Sequence, residues 1–460
     1  MDQGLAMELL EDNVISESLA RSASARDGGI GDLDTFHKVM AESAATVYTN
    51  IERVPLTSLT SWYECPDTGM FRHRSGKFFT VQGVAVSVPS APISQWDQPI
   101  ICQPEIGILG ILVKEFDGVL HCLVQMKAEP GNCNGIQVSP TVQATRSNYT
   151  GVHGGAAIPY LDYFRDRSRH RVLVDVRQSE QGTWFLSKRN RNMVIEVTED
   201  VELLDGFHWL TLGQVHELLG EDDVVNMDTR SVLACLPFGA DADGPSRHTT
   251  DELLGWLTEK RAAADISVRR MPIRELTGWH YDGNMITHER SLHFDVIGVT
   301  VEAHGREVGA WDQPMIAARG TGLTAFLSTT IDGVPHVLVH AKVEPGIFDV
   351  AEIAPTVQCM PETYIHLPRS TWPPFLAEIL TTDASRIRFD VTQSEEGGRF
   401  LKTRSRNLIV EIDEPVEHPG YRWVTPAQLA ELLRHSHYIN IQTRSLLACL
   451  RSSSLEELVA

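Results

Sequence analysis

Lys127 and Glu129 lie two residues apart in the segment His121-Cys-Leu-Val-Gln-Met-Lys-Ala-Glu129. Lys342 and Glu344 repeat the arrangement in the segment that begins at His336. A strand alternates its side chains between two faces, so each pair shares a face with Cα atoms roughly 6.5–7 Å apart. That face carries His121, Leu123, Gln125, Lys127 and Glu129 in one segment, and His336, Leu338, His340, Lys342 and Glu344 in the other. The opposite face is Cys122, Val124, Met126 and Ala128, or Val337, Val339, Ala341 and Val343. A carboxylate beside an ammonium can take a proton and hold the charge that develops. The competing reading is a surface ion pair worth about 0–1 kcal/mol. Because both pairs recur with an adjoining Pro-Gly, chemistry is the preferred reading. His340 replaces Gln125 and titrates near neutral pH, which tilts the expected working half toward the second segment.

Other repeated residues invite similar readings. Tyr149 and Tyr364 could donate a proton or hold an enolate oxygen, or simply pack in a core. Arg189 with Arg191, Arg404 with Arg406, and Arg230 and Arg444 in Thr-Arg-Ser could grip a diphosphate through paired hydrogen bonds. Solvated loops would carry the same arginines. Trp96 and Trp311 could stack on a base, worth roughly 1–3 kcal/mol, or pack a turn. Trp62 and Trp279, Gln143 and Gln358, Gln178 and Gln393, and Ser179 and Ser394 complete the expected substrate-binding set.

The pairing of these residues reflects the chain as a whole. Trp-Asp-Gln-Pro (96 and 311), Glu-Pro-Gly (129 and 344), Pro-Thr-Val-Gln (140 and 355) and Gln-Ser-Glu (178 and 393) all recur 215 residues apart. The offset is 217 at Trp62/Trp279 and 214 at Thr229/Thr443. Solenoid repeats run to roughly 20–50 residues, so this is a duplicated domain. The expected layout is an arm at 1–31, a first repeat at 32–236, a linker at 237–247 and a second repeat at 248–460, each repeat burying its own core.

A net charge of −21 argues against nucleic acid, whose phosphates need a basic face. No apolar run reaches the roughly 18 residues of a membrane span. The acidic start lacks a signal peptide's apolar stretch, so a cytoplasmic location is expected. The seven cysteines form no Cys-x-x-Cys pair. Cys235 and Cys449, at matching positions in apolar tails, read as core.

Each repeat should open with a helix (34–50, 250–264) that ends before Pro55 or Pro272. Strands follow at 77–88 and 291–301, then hairpins turning at Asp117-Gly118 and Asp332-Gly333. Further strands are expected at 171–176 and 193–198, with copies at 386–391 and 408–412. Closing helices should run over 209–219 and 423–433. Mixed strands with flanking helices make the fold α+β. No Gly-x-Gly-x-x-Gly follows a strand, no Walker loop occurs and no His-Glu-x-x-His appears, so no cofactor or metal is expected. His435-x-His437 alone is a weak metal signal.

Together the four duplicated motifs resemble the NDP-hexose 2,3-dehydratases of deoxysugar biosynthesis, over about residues 35–450. The resemblance implies two tandem Nudix-like α/β/α domains with mixed sheets, a homodimer and no organic cofactor. It implies a TDP-4-keto-6-deoxyhexose as substrate, chiefly the glucose form, and a 3-ketoreductase that uses the unstable product. A Nudix metal box is missing, since Arg274-Glu275-Leu276 lacks the following Glu pair. The chemistry would be removal of the C3 proton, stabilisation of the enolate and loss of the C2 hydroxyl. Glu129 or Glu344 would serve as base, and Lys127, Lys342, Tyr149 or Tyr364 as enolate holder or acid. A metal-dependent nucleotide-sugar pyrophosphohydrolase and a non-catalytic nucleotide-sugar-binding protein are the alternatives.

Overall fold

The computed structural model describes residues 15–27, 29–89, 91, 93–149, 157–237, 245–305 and 308–452. The fold is α+β, in two similar halves. Among the described residues there are two seven-stranded mixed sheets, one in each half, and two five-stranded antiparallel sheets. In the first large sheet the neighbours run Arg171–Ser179, Arg189–Glu196, Gly107–Phe116, Val119–Ala128, Phe207–Thr211. The pair Arg189–Glu196 with Gly107–Phe116 is parallel and the rest are antiparallel. The second large sheet repeats this order. The expected hairpins are present: Asp117 and Gly118, like Asp332 and Gly333, all take positive φ, as a two-residue type I′ turn requires.

Alternation along Val119–Ala128 is also as read. Cys122, Val124 and Met126 enter one core cluster and Leu123 enters another. The first of these clusters is shared: Val337, Val339 and Ile353 of the second half lie in it with Val124 and Val138 of the first. The halves therefore do not each bury a separate core. Helices Met227–Ala234 and Ile441–Cys449 pack together at the join, and Cys235 and Cys449 are core there.

The small sheets depart furthest from expectation. The first helix stops at Ser43, and Tyr48–Val54 is a strand. Val47, Tyr48, Thr49 and Ile51 favour extended backbone, and Pro55 ends the run. This strand pairs with Phe294–His304 of the second copy, Val54 opposite Gly298. In return Ser267–Met271 pairs with Thr80–Ser87 of the first copy, Met271 opposite Gly83. A Cβ at Gly83 would lie 2.8 Å from the Met271 carbonyl oxygen, and one at Gly298 2.7 Å from that of Val54. The two copies thus exchange strands, so a division at 32–236 and 248–460 cuts through both small sheets. Most of the linker, residues 238–244, lies outside the described residues.

Two smaller corrections concern the ends of each repeat. Trp209 and Trp423 sit on strands Phe207–Thr211 and Tyr421–Val424, and the helices begin at Leu212 and Pro426. Thr211 and Thr425 cap them with full capping boxes, which stop the helix from extending backward. Part of the N-terminal arm is docked on the first copy: Ser22 Oγ donates to Leu120 O and Thr211 Oγ1 to Ala25 O.

The Glu-Pro-Gly turns lock the halves together. Gly131 N donates to Gly397 O, and Gly346 N to Gly182 O, each at 2.7 Å. A Cβ on Gly131 would sit 1.8 Å from the Phe400 carbonyl oxygen, and one on Gly346 1.7 Å from that of Phe185. Backbone atoms cannot yield as a flexible side chain would. We expect Gly131→Ala to cost more than about 4 kcal/mol in chemical denaturation. Gly135, with φ +89° and open space around it, should cost only about 1–2 kcal/mol as Ala. Equal losses at the two sites would show that the turn has room to spare.

Candidate active site

The polar face of Val119–Ala128 ends at a cavity of about 330 Å³ lined by both copies. Lys127, Glu129, Gln143, Glu180, Lys188 and Asp228 come from the first. Trp311, Asp312, Gln313, Glu396 and Arg399 come from the second. The exchanged architecture explains the mixture. The Glu129-Pro130-Gly131 turn is bonded to the Gly397 loop, and a Cβ at Gly397 would lie 2.9 Å from Glu129 Cβ. Asp312 accepts hydrogen bonds from Thr60 and Ser61, and its carbonyl accepts Trp62 Nε1 at 2.8 Å. Trp-Asp-Gln-Pro of one copy therefore anchors the Trp62 wall of the other copy's cavity. Gln313 Nε2 completes the clasp by donating to Gly398 O.

Gln143 Nε2 donates to Glu129 Oε1 at 3.1 Å, and Lys127 Nζ to Gln143 O at 3.4 Å. Asn190 Nδ2 donates to Glu180 Oε1 at 2.7 Å, while Glu180 Oε2 and Asp228 Oδ1 are buried without hydrogen-bond partners. Burial pushes the Asp228 carboxyl well up, reinforced by Glu180, Glu396 and Glu129. Burial also raises Glu180, against the pull of Arg444 and Lys188. Glu396 is pushed up to about 7 by burial, opposed by Arg399 and reinforced by Glu129 and Glu180. Burial pulls Lys188 down to about 8, and its Nζ donates to Glu105 O. Crowded carboxyls in a shielded site cannot all ionise, so this cavity holds exchangeable protons near neutral pH. Among the described residues no group of three His, Cys, Asp or Glu side chains is placed to hold a metal ion.

The remaining expected site residues fall elsewhere. Arg230 and Arg444 are 1% and 0% exposed. Arg230 donates to Ser445 Oγ, Val225 O and Ser394 O, and Arg444 to Ser231 Oγ, Ile439 O and Ser179 O. Their guanidinium groups join the two copies and are not part of this cavity's lining. Gln178 Nε2 donates to Leu433 O and Gln393 Nε2 to Leu219 O across the same join. Ser179 Oγ donates to Glu352, and Ser394 Oγ to Asp223. Arg191 and Arg406 pair with Asp175 and Asp390 at the surface. Arg189 lies over the Phe348 ring, and Arg404 pairs with Asp223.

In the second copy Lys342 donates to Gln358 O, and Glu344 accepts from Gln358 Nε2 and Thr183 Oγ1. His340 stacks on Tyr421 and shares a hydrogen bond with Pro355 O. Burial holds it neutral, with a pKa near 3, so it is no proton carrier near pH 7. Tyr364 packs against the second sheet's core. Trp96 Nε1 donates to Gln98 and Trp279 Nε1 to Asp97 O. Tyr149 ends the short helix Arg146–Tyr149, and its phenol lies outside what is described.

Glu180, Lys188, Asp228, Glu396 and Arg399 also line the cavity though none was an expected site residue, Glu180 standing only within the Gln-Ser-Glu motif. At matching positions the other copy has Glu395, Thr403, Gln442, Gln181 and Trp184. Arg399 lies over Phe79 at 4.4 Å, whereas Trp184 approaches Phe294, the matching ring. Four of the five differ between copies, and that difference was readable beforehand.

A family model described as NDP-hexose 2,3-dehydratase matches residues 33–236 and 250–450, both copies in turn. The chain belongs to this family of sugar-nucleotide dehydratases and is an enzyme of that class. It is 46% identical over 447 residues to the dTDP-4-dehydro-6-deoxy-alpha-D-glucopyranose 2,3-dehydratase of Amycolatopsis orientalis, covering 96% of this chain and 95% of the relative. Relatives with the same description occur in Saccharopolyspora spinosa (46% identity, 94% of each chain) and Streptomyces violaceoruber (44%, covering 92% and 98%).

The raised Glu396 carboxyl has a consequence for stability. Between its ordinary value of 4.5 and about 7, the folded protein keeps a proton that the unfolded chain has released. Stability from this group is therefore present below about pH 4.5 and lost as pH rises through 7. Glu396→Gln should be more stable than the parent at pH 8 by on the order of 1–3 kcal/mol relative to the comparison at pH 5. Denaturant titrations at both pH values measure it. The same difference at both would show that Glu396 ionises freely.

Proposed function

We propose that this cavity dehydrates TDP-4-keto-6-deoxy-D-glucose to a 3,4-diketo-2,6-dideoxy sugar. The observation that carries the proposal is the placement of Lys127, near the end of its strand, and Glu129, just beyond it, at a shielded cavity that Glu396 of the other copy also lines. The described function of three relatives supports the substrate.

The C4 ketone acidifies the C3 proton. Glu129 removes it, and the electron pair moves to the C4 oxygen, where the Lys127 ammonium stabilises the enolate. The C2–O bond then breaks as an acid protonates the departing hydroxyl, so that water leaves and a C2–C3 double bond bearing the C3 hydroxyl remains. That enol tautomerises to the 3,4-diketone. No hydride leaves the sugar, so the step needs no redox partner. A positioned base contributes about 10²–10⁴-fold. Trp62 and Trp311 on the cavity wall offer aromatic surface to the nucleotide.

The first-copy cavity is our choice for the working site, against the tilt that His340 suggested. Lys342 and Glu344 lack the companions of Lys127 and Glu129, since Thr403 and Gln442 stand for Lys188 and Asp228. We further infer a Nudix-like ancestry for each half, a homodimer, a cytoplasmic location and a 3-ketoreductase acting on the product. The duplicated motifs and the family support these.

With substrate deuterated at C3, the label should be lost during dehydration, with or without EDTA. Glu129→Gln should lower kcat by at least about 10²-fold, while Glu344→Gln stays within a few-fold of the parent. Retained C3 deuterium in the product would rule out the elimination. The reverse order of the two variants would move the site to the second copy.

A further inference from the structure

Five carboxyl groups line the cavity; Asp312 is held by Thr60 and Ser61, and the base is Glu129. The pseudo-symmetry of the chain shows what is unusual about the others. At the matching place in the second copy, Gln181 Nε2 donates to Glu395 Oε2 at 3.0 Å. An amide N–H can donate to a carboxylate, whereas an ionised carboxyl group in its place has no hydrogen to give. Glu180 corresponds to Glu395, and Glu396 corresponds to Gln181. A carboxyl group thus replaces the amide, and Glu180 Oε2 has no hydrogen-bond partner. Two carboxyls in such a place must keep a proton between them. Asp228 Oδ1, also unpartnered in a side chain 3% exposed, adds a third member, where the second copy has Gln442.

We propose that Glu396, reaching across from the second copy, is the acid that protonates the departing C2 hydroxyl, and that Glu180 and Asp228 keep that proton in place. This rests on the dehydration reading above. The proton balance closes within the cavity. Glu129 gains the C3 proton as Glu396 gives one to the hydroxyl, the C2–O bond breaks, and water leaves. The carboxyl cluster ends with the charge it began with, so the shielded site never accumulates charge. In the tautomerisation the C3 hydroxyl gives up a proton and C2 gains one, which again leaves the cluster's charge unchanged and allows Glu396 to be reloaded. The groups facing Glu396 are Glu129, Glu180 and Asp228, with Arg399 and Lys188 as the cations that limit how firmly the proton is held.

Fluoride leaves carbon without needing a proton, which separates the acid from the base. The experiment compares the parent and Glu396→Gln on TDP-4-keto-6-deoxyglucose and on its 2-deoxy-2-fluoro analogue. We expect Glu396→Gln to lose water elimination by at least about 10²-fold and to release fluoride within about tenfold of the parent. It should also exchange the C3 proton of the natural substrate with deuterated solvent without dehydrating it. Equal loss on both substrates in a folded protein would overturn the assignment, as would retained water elimination. A parent inactive on both substrates would instead sink the dehydration reading and this proposal with it. Glu180→Gln supplies a second readout. Removing its negative charge should let Glu396 ionise more readily, so the alkaline limb of kcat should move to lower pH. A limb that stays in place would deny Glu180 its positioning role.

Discussion

Two backbone hydrogen bonds, Gly131 N to Gly397 O and Gly346 N to Gly182 O, bring the copies into contact closer than any residue with a side chain would allow. Each ties the turn after a Lys-x-Glu strand of one copy to the Gln-Ser-Glu loop of the other. At the first join this sets Glu129 beside the Glu396 loop. The cavity is therefore a product of the join, and its residues cannot be assigned to one domain. The strand exchange tightens the same arrangement. Each strand that crosses over is followed by the segment leading to Trp62 or Trp279, and each indole N–H is held by the Trp-Asp-Gln-Pro strand of the other copy.

A duplicated chain with such a join places two demands on its residues. Those that build the join are needed twice, once from each side. Arg230 with Arg444 and Gln178 with Gln393 are of this kind: each donates hydrogen bonds to the opposite copy. Residues that do chemistry are needed only once if one cavity works. The second site then has an amide donor in place of a carboxyl, Gln181 on Glu395, or packing, such as Trp184 near Phe294 and Phe400.

This explains which features were legible in the sequence. The polar strand face, the Asp-Gly hairpins and the central cysteines follow from local alternation and turn chemistry, and they stand where the sequence put them. Strand exchange leaves no such trace, because Tyr48–Val54 reads the same whether it pairs with its own sheet or its neighbour's. The helix expected to Asn50 failed at the same place, since pairing with Phe294–His304 rewarded the β-branched run. Arg230 and Arg444 attracted a phosphate-binding reading because both copies keep them, yet a two-sided join requires that repetition. Lys188 against Thr403, Asp228 against Gln442 and Glu396 against Gln181 held the opposite signal. They mark the site as differences between the copies, not as likenesses.

In the proposed reaction one cavity, built by both copies around Glu129 and Glu396, holds the sugar. A crystal structure of the Glu129→Gln variant with TDP-4-keto-6-deoxyglucose tests it most directly. The hexose ring should lie against residue 129 and Glu396, with the C4 oxygen within hydrogen-bonding reach of Lys127 Nζ and the C2 hydroxyl toward Glu396. A hexose seated instead against Lys342 and Glu344, with the first cavity empty, would contradict it.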